Sequence, residues 1–174
     1  HNKEIFQQVV ELLQQARQQV LRTVNSTMVY TYFEIGRIIV EEEQNGKGRA
    51  AYGKQLLKSL SVELTNEFGK GFSVENLDRM RKLYRTYSVY PSLIRILDMV
   101  NSSSVATNSD KGNFENISNI TTNTLISFFK LSWTHYVFLM RINNENERNF
   151  YEIESIKNNW SVRELKRQYD SALY

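Results

Sequence analysis

From the N-terminus, Ile5, Val9, Leu12, Leu13, Ala16 and Val20 recur at three- and four-residue steps, with Gln and Arg between them. That spacing predicts an amphipathic helix with one apolar side. A second helix is predicted from about Ser26 into the acidic run Glu41-Glu42-Glu43. Its rows Met28/Tyr32/Ile35/Ile39 and Val29/Phe33/Gly36/Val40 make it apolar on more than one face, so it should lie centrally. The acidic run itself reads as a solvated helix end. Turn residues from Asn45 to Gly48 stop the helix. Leu56, Leu57, Leu60 and Leu64 define a third helix ending near Gly69, and a fourth begins after Ser73. One proline and seven glycines in 174 residues leave room for long uninterrupted helices.

Beyond Pro91 the texture changes. Asn101 to Thr124 holds six Asn, five Ser and four Thr, too polar to bury much, and reads as a linker. After it, "LSWTHYVFLMRI" resumes a compact apolar helix, Asn143 to Asn146 make a turn, and Phe150, Ile153 and Ile156 mark another helix. The last helix begins at Ser161. The expected fold is an all-α helical bundle in three parts. Residues 1–100 form an N-terminal helical part, 101–124 a flexible Asn/Ser/Thr-rich insertion, and 125–174 a second helical unit packing on the first.

Two helix starts resemble one another. "GFSVENLDR" (Gly71 to Arg79) and "NWSVRELKR" (Asn159 to Arg167) match at Ser, Val, Leu and Arg with a constant offset, and Phe72 corresponds to Trp160. Each follows a helix and a short turn, as in a helix-turn-helix unit. Ser161 and Glu164 form an S-x-x-E capping box; the first copy carries Asn76 in place of the Glu. In the first helix Val74, Leu77, Met80, Leu83, Tyr84 and Tyr87 share one side, and Arg79, Lys82 and Arg85 the other. In the second, Arg163 and Arg167 stand opposite Leu165, Tyr169 and Ala172. A recognition helix has this division: an apolar side fixed to its partner and a protruding side of Arg, Lys and Asn for phosphates and base edges. A solvated amphipathic helix has it too. The candidate nucleic-acid contacts are Asn76, Arg79, Lys82, Arg85, Arg163, Lys166 and Arg167.

Charge changes this picture little. Twenty-two basic and nineteen acidic residues leave a net charge of +3, too mild to prove a nucleic-acid partner. The absence of cysteine excludes disulfides, thiolate zinc sites and a cysteine nucleophile, and fits a cytoplasmic protein. The most apolar segment, Met28 to Val40, is short and carries Glu34 and Arg37, so no membrane span is expected. His135 reads as a half-buried packing residue, since no second His or Cys stands at metal spacing. "FGKGF" lacks the Gly-Lys-Ser/Thr of a phosphate loop, and Glu164-Leu165-Lys166 lies on a helix rather than a nuclease strand. Neither a cofactor nor a catalytic constellation is expected.

Two segments carry a resemblance. "YFEIGRIIVEEEQNGKGRAAYGKQLLKSLSVELTNEFGKGFSVENLDRMRKLY" and "LSWTHYVFLMRI…ERNFYEIESIKNNWSVRELKRQYDSALY" resemble, in the same order, the N-terminal domain of the bacterial YhcG family, a domain of unknown function (DUF 1016). The resemblance implies a helix-turn-helix-like domain in front of a C-terminal nuclease domain of the PD-(D/E)XK superfamily, with DNA as partner. The chain begins His1-Asn2 without an initiator Met and stops at "SALY", where the first domain would end. It therefore reads as a trimmed piece onto which no nuclease residue can be carried. The expected function is a non-catalytic DNA-binding or targeting domain. The alternative is a protein-interaction or dimerisation module of the same nuclease, a homo-oligomer included, using Tyr84, Tyr87, Tyr90 and Trp160.

Overall fold

The computed structural model describes residues 2–45, 50–90, 123–172 and 174, and among these every regular element is a helix. The first is the longest. α1 runs from Asn2 to Asn45 without interruption, where the sequence pattern predicts two helices meeting near Ser26. No proline or glycine lies between the two apolar patterns, and hydroxyls such as Thr23 bond back to the carbonyl four residues earlier, so nothing stops the ladder. α2 spans Ala50–Phe68 and α3 Val74–Tyr87. After them come α4 (123–128), α5 (Trp133–Leu139), α6 (Glu145–Lys157) and α7 (Val162–Asp170). Helix α6 starts earlier than the turn expected at Asn143 to Asn146, because Asn144 caps it and accepts from the Glu147 amide. Gly46 to Gly48 and nearly all of the polar stretch from Asn101 lie outside the described residues.

The body of the molecule is built around the second half of α1. Val29, Phe33, Gly36, Ile39 and Val40 are buried there and meet α3 along its Leu77, Met80, Leu83 and Tyr87 row. Gly36 sets the closeness of that crossing: a Cβ built on it would lie 2.1 Å from the Met80 carbonyl oxygen. One apolar cluster joins Val29, Phe33 and Leu83 to Phe129, Tyr136, Tyr151 and Leu165, so the segments before and after the polar stretch share a core. A smaller cluster of Ile39, Leu57, Leu77 and Met80 fixes α2 against α1 and α3. Inside the larger one, Tyr87 and Tyr136 donate to the Glu152 carboxylate at 2.9 and 3.1 Å, and burial pushes the Glu152 carboxyl above its ordinary range.

Candidate nucleic-acid interface

Both resembling helix starts fold alike. Before α3 the chain turns through Gly69 and Gly71, at φ 78° and 122°; before α7 it turns through Asn159 at φ 50°. Phe72 and Trp160 then sit half-buried, and Ser73 and Ser161 cap the helices by accepting from the amides of Asn76 and Glu164, both at 3.2 Å. The second half of the expected capping box is not made. The Glu164 carboxylate accepts from Arg167 and Gln168 instead of reaching back to the cap, and these bonds hold its pKa below the ordinary carboxylate value.

The basic side of α3 is largely engaged within the protein. Arg85 donates to Glu43 at 2.8 Å, and Arg81 donates to both Glu43 and Asp78. Glu43 is therefore not part of a solvated helix end: its side chain is only 13 % exposed, and Gly53 of α2 leaves the room it occupies. Arg79 pairs with Glu75 four residues back. The Asn76 amide donates to the Gly71 carbonyl and accepts from the Trp133 indole, so its polar atoms already fasten the turn to α5. On this helix Lys82 alone among the expected contacts is exposed and makes no ion pair among the described residues.

The surface of α7 differs. Arg163 is exposed and makes no ion pair among the described residues, and Lys166 stands over the Phe138 ring at 6.0 Å. Arg167 lies on Glu164. The turn that leads into α7 forms one wall of a cleft of about 430 Å³, lined by Arg22, Lys130, Ser132, His135, Asn159 and Trp160 among others. No Asp or Glu lines it. Arg22 donates to the Asn159 side chain at 3.2 Å, which joins α1 to this turn. His135 holds the turn from the other side. Its Nε2–H donates to the Trp160 carbonyl at 2.9 Å, while Nδ1 accepts from the Ser132 hydroxyl at 2.7 Å. Both bonds suit the neutral ring, and burial lowers the His135 pKa, only partly opposed by the bond to Trp160. A second, larger cleft of about 700 Å³ contains Lys54, Arg81 and Arg85, but the Glu43 carboxylate stands among them.

Sequence reasoning missed Arg22 and Lys130. They are far apart in the chain, on an amphipathic stretch and in an interhelical loop, and only the fold sets them beside the Asn159-Trp160 turn. The four aromatics named for a docking role are occupied at home. Tyr87 is fully buried, and Tyr84, Tyr90 and Trp160 are half-buried against the main cluster. Among the described residues no three His, Cys, Asp or Glu side chains are placed to hold a metal ion, and no helix is long and apolar enough to cross a membrane.

The model of the DUF1016 N-terminal domain matches residues 8–174. The chain is also 35% identical, over 178 aligned positions, to the Escherichia coli (strain K12) protein named "Putative nuclease YhcG". That alignment covers 99% of this chain and 45% of the relative, so the chain spans less than half of the relative's length. No solved structure matches it.

Proposed function

Because the chain belongs to the DUF1016 N-terminal domain family, we propose that it is a non-catalytic module that holds DNA for a nuclease domain elsewhere in the same protein. The observation that carries this reading is the carboxylate-free cleft of Arg22 and Lys130 beside the turn into α7, together with the exposed Arg163 and Lys166 on α7 itself. Cations with no acid to neutralise them are what phosphate oxygens need, and phosphate contacts supply most of the affinity in non-specific DNA binding. On this reading α7, rather than α3, is the main contributing helix, with Lys82 as an outlying contact.

The test is binding to duplex DNA followed by fluorescence anisotropy across a salt series. Lys130→Ala, Arg163→Ala and Lys82→Ala should each flatten the slope of log affinity against log salt by roughly 0.9, the release of about one counterion. Arg85→Ala should leave the slope alone, since its guanidinium is spent on Glu43. If the unmodified chain has no measurable affinity for duplex DNA at about 50 mM salt, where even non-specific contacts are strong, the DNA reading fails.

A further inference from the structure

The first half of α1 carries an apolar stripe that no described residue covers. Ile5, Phe6, Val9, Leu12, Leu13, Val20, Leu21 and Val24 are 49–67 % exposed. At about 100° per residue, Phe6, Val9, Leu13, Ala16, Val20 and Val24 fall within a sector of roughly 80°. The residues by which α1 grips the body, Val29, Phe33, Gly36 and Val40, project to the opposite side of the same helix. The stripe is therefore a second face, turned away from the body. Glu4, Glu11 and Arg22 lie on the body-facing side, and Arg17 alone edges the stripe. Amphipathic helices gain most of their stability by packing such a face.

We propose that this stripe is a dimerisation surface, and that it is covered by the same stripe of a second copy lying antiparallel. Three observations select that occupant. The first is area. Eight large apolar side chains, each about half to two-thirds exposed, stand uncovered on one copy, the kind of surface that a stable interface buries. The second is register. Phe6, Val9, Leu13, Ala16, Val20 and Thr23 alternate three- and four-residue steps, the spacing of a two-stranded coiled coil. With the two-fold axis between Gln14 and Gln15, Phe6 of one copy faces Thr23 of the other, Val9 faces Val20, and Leu13 faces Ala16. Large meets small in the outer and inner layers, and the Val layer is even. A parallel pairing would set Phe6 on Phe6 and leave a gap at Ala16 on Ala16. The third is the polar side. It holds Gln7, Gln8, Gln14, Gln15, Gln18 and Gln19 and few cations, whereas a helix lying on a lipid surface carries a Lys- and Arg-rich face.

Sedimentation equilibrium of the 174-residue chain at micromolar concentrations tests this. The expected mass is twice the 20.5 kDa of one chain. Leu13→Glu places a carboxylate in the seam and should weaken association about a hundredfold or more. Its aromatic near-UV circular dichroism should be unchanged, because Leu13 touches no core cluster. Glu11→Lys, on the opposite side, should stay dimeric. The chain has no cysteine of its own, so Phe6→Cys combined with Thr23→Cys should oxidise to a covalent dimer while Phe6→Cys alone does not. A single-chain mass for the unmodified protein at tens of micromolar, or a Leu13→Glu variant as dimeric as the parent, overturns the proposal. Self-linking of Phe6→Cys overturns the antiparallel arrangement.

Discussion

Three residues show how much of this molecule rests on single atoms. At Gly36 the backbone of α1 approaches the Met80 carbonyl so closely that a methyl group would stand 2.1 Å from it. Neither partner is the end of a flexible side chain, so Gly36→Ala must push two helices apart. It should cost at least the roughly 1–3 kcal/mol of an overpacked core, read as a lowered midpoint in urea. His135 and Glu152 give opposite pH signatures. The His135 pKa is lowered in the fold, so its contribution is complete above the ordinary value near 6.5 and is lost as pH falls through the folded value. The penalty of His135→Gln should accordingly shrink between pH 7.5 and pH 5. The Glu152 pKa is raised, so its contribution is complete below the ordinary 4.5 and is lost as pH rises through the folded value. Glu152→Gln should therefore gain on the parent protein as pH rises from about 4.5 to 7. A pH-independent difference in thermal midpoint for either pair would refute the assignment.

At the scale of elements, local signals were legible and distant pairings were not. The Ser73 and Ser161 caps, the glycine stop at Gly69 and the Leu77-Met80-Leu83-Tyr87 row all follow from neighbours within a few positions, and the structure contains each of them. At the candidate site, sequence reasoning and structure diverge through contacts between remote segments. Glu43 looked solvated because Arg81 and Arg85 lie on another helix; Asn76 looked available because Trp133 is far along the chain. Amphipathic spacing identifies which side of a helix is polar, but not which of its cations another element has already neutralised. The α1 stripe was readable as apolar, yet only the fold shows that no described residue covers it. The caps provide the test at this scale. Ser161→Ala should destabilise the protein by about 1 kcal/mol, as should Ser73→Ala, because each leaves a helix amide without its acceptor. The amide proton of Glu164 should exchange faster in the first variant and that of Asn76 in the second. Unchanged exchange at both sites would show that the hydroxyls cap nothing in solution.

For the whole molecule, the two proposals make a joint prediction that neither makes alone. In the antiparallel pair the axis lies between residues 14 and 15, so the two copies of Val29, where each body begins, stand about 43 Å apart at 1.5 Å per residue. The α1 residues that line the two clefts, Arg22 to Ser26, lie nearer the axis, about 23–35 Å from their copies, or about 7–10 base pairs of duplex at 3.4 Å per step. A hairpin duplex of about 6 base pairs spans roughly 20 Å and can occupy only one cleft, whereas a duplex of about 40 base pairs can reach both. Once the first body is bound, the second binds at the high effective concentration set by the stiff helix pair. The parent chain should therefore gain more affinity on going from about 6 to about 40 base pairs than the added number of binding positions explains. Leu13→Glu should gain only that statistical factor, while its affinity for the short duplex matches the parent's. The comparison separates the ideas: a length effect that survives Leu13→Glu would place the second contact outside the arm. Equal and absent affinity for both duplexes would remove the DNA reading and leave the dimer standing.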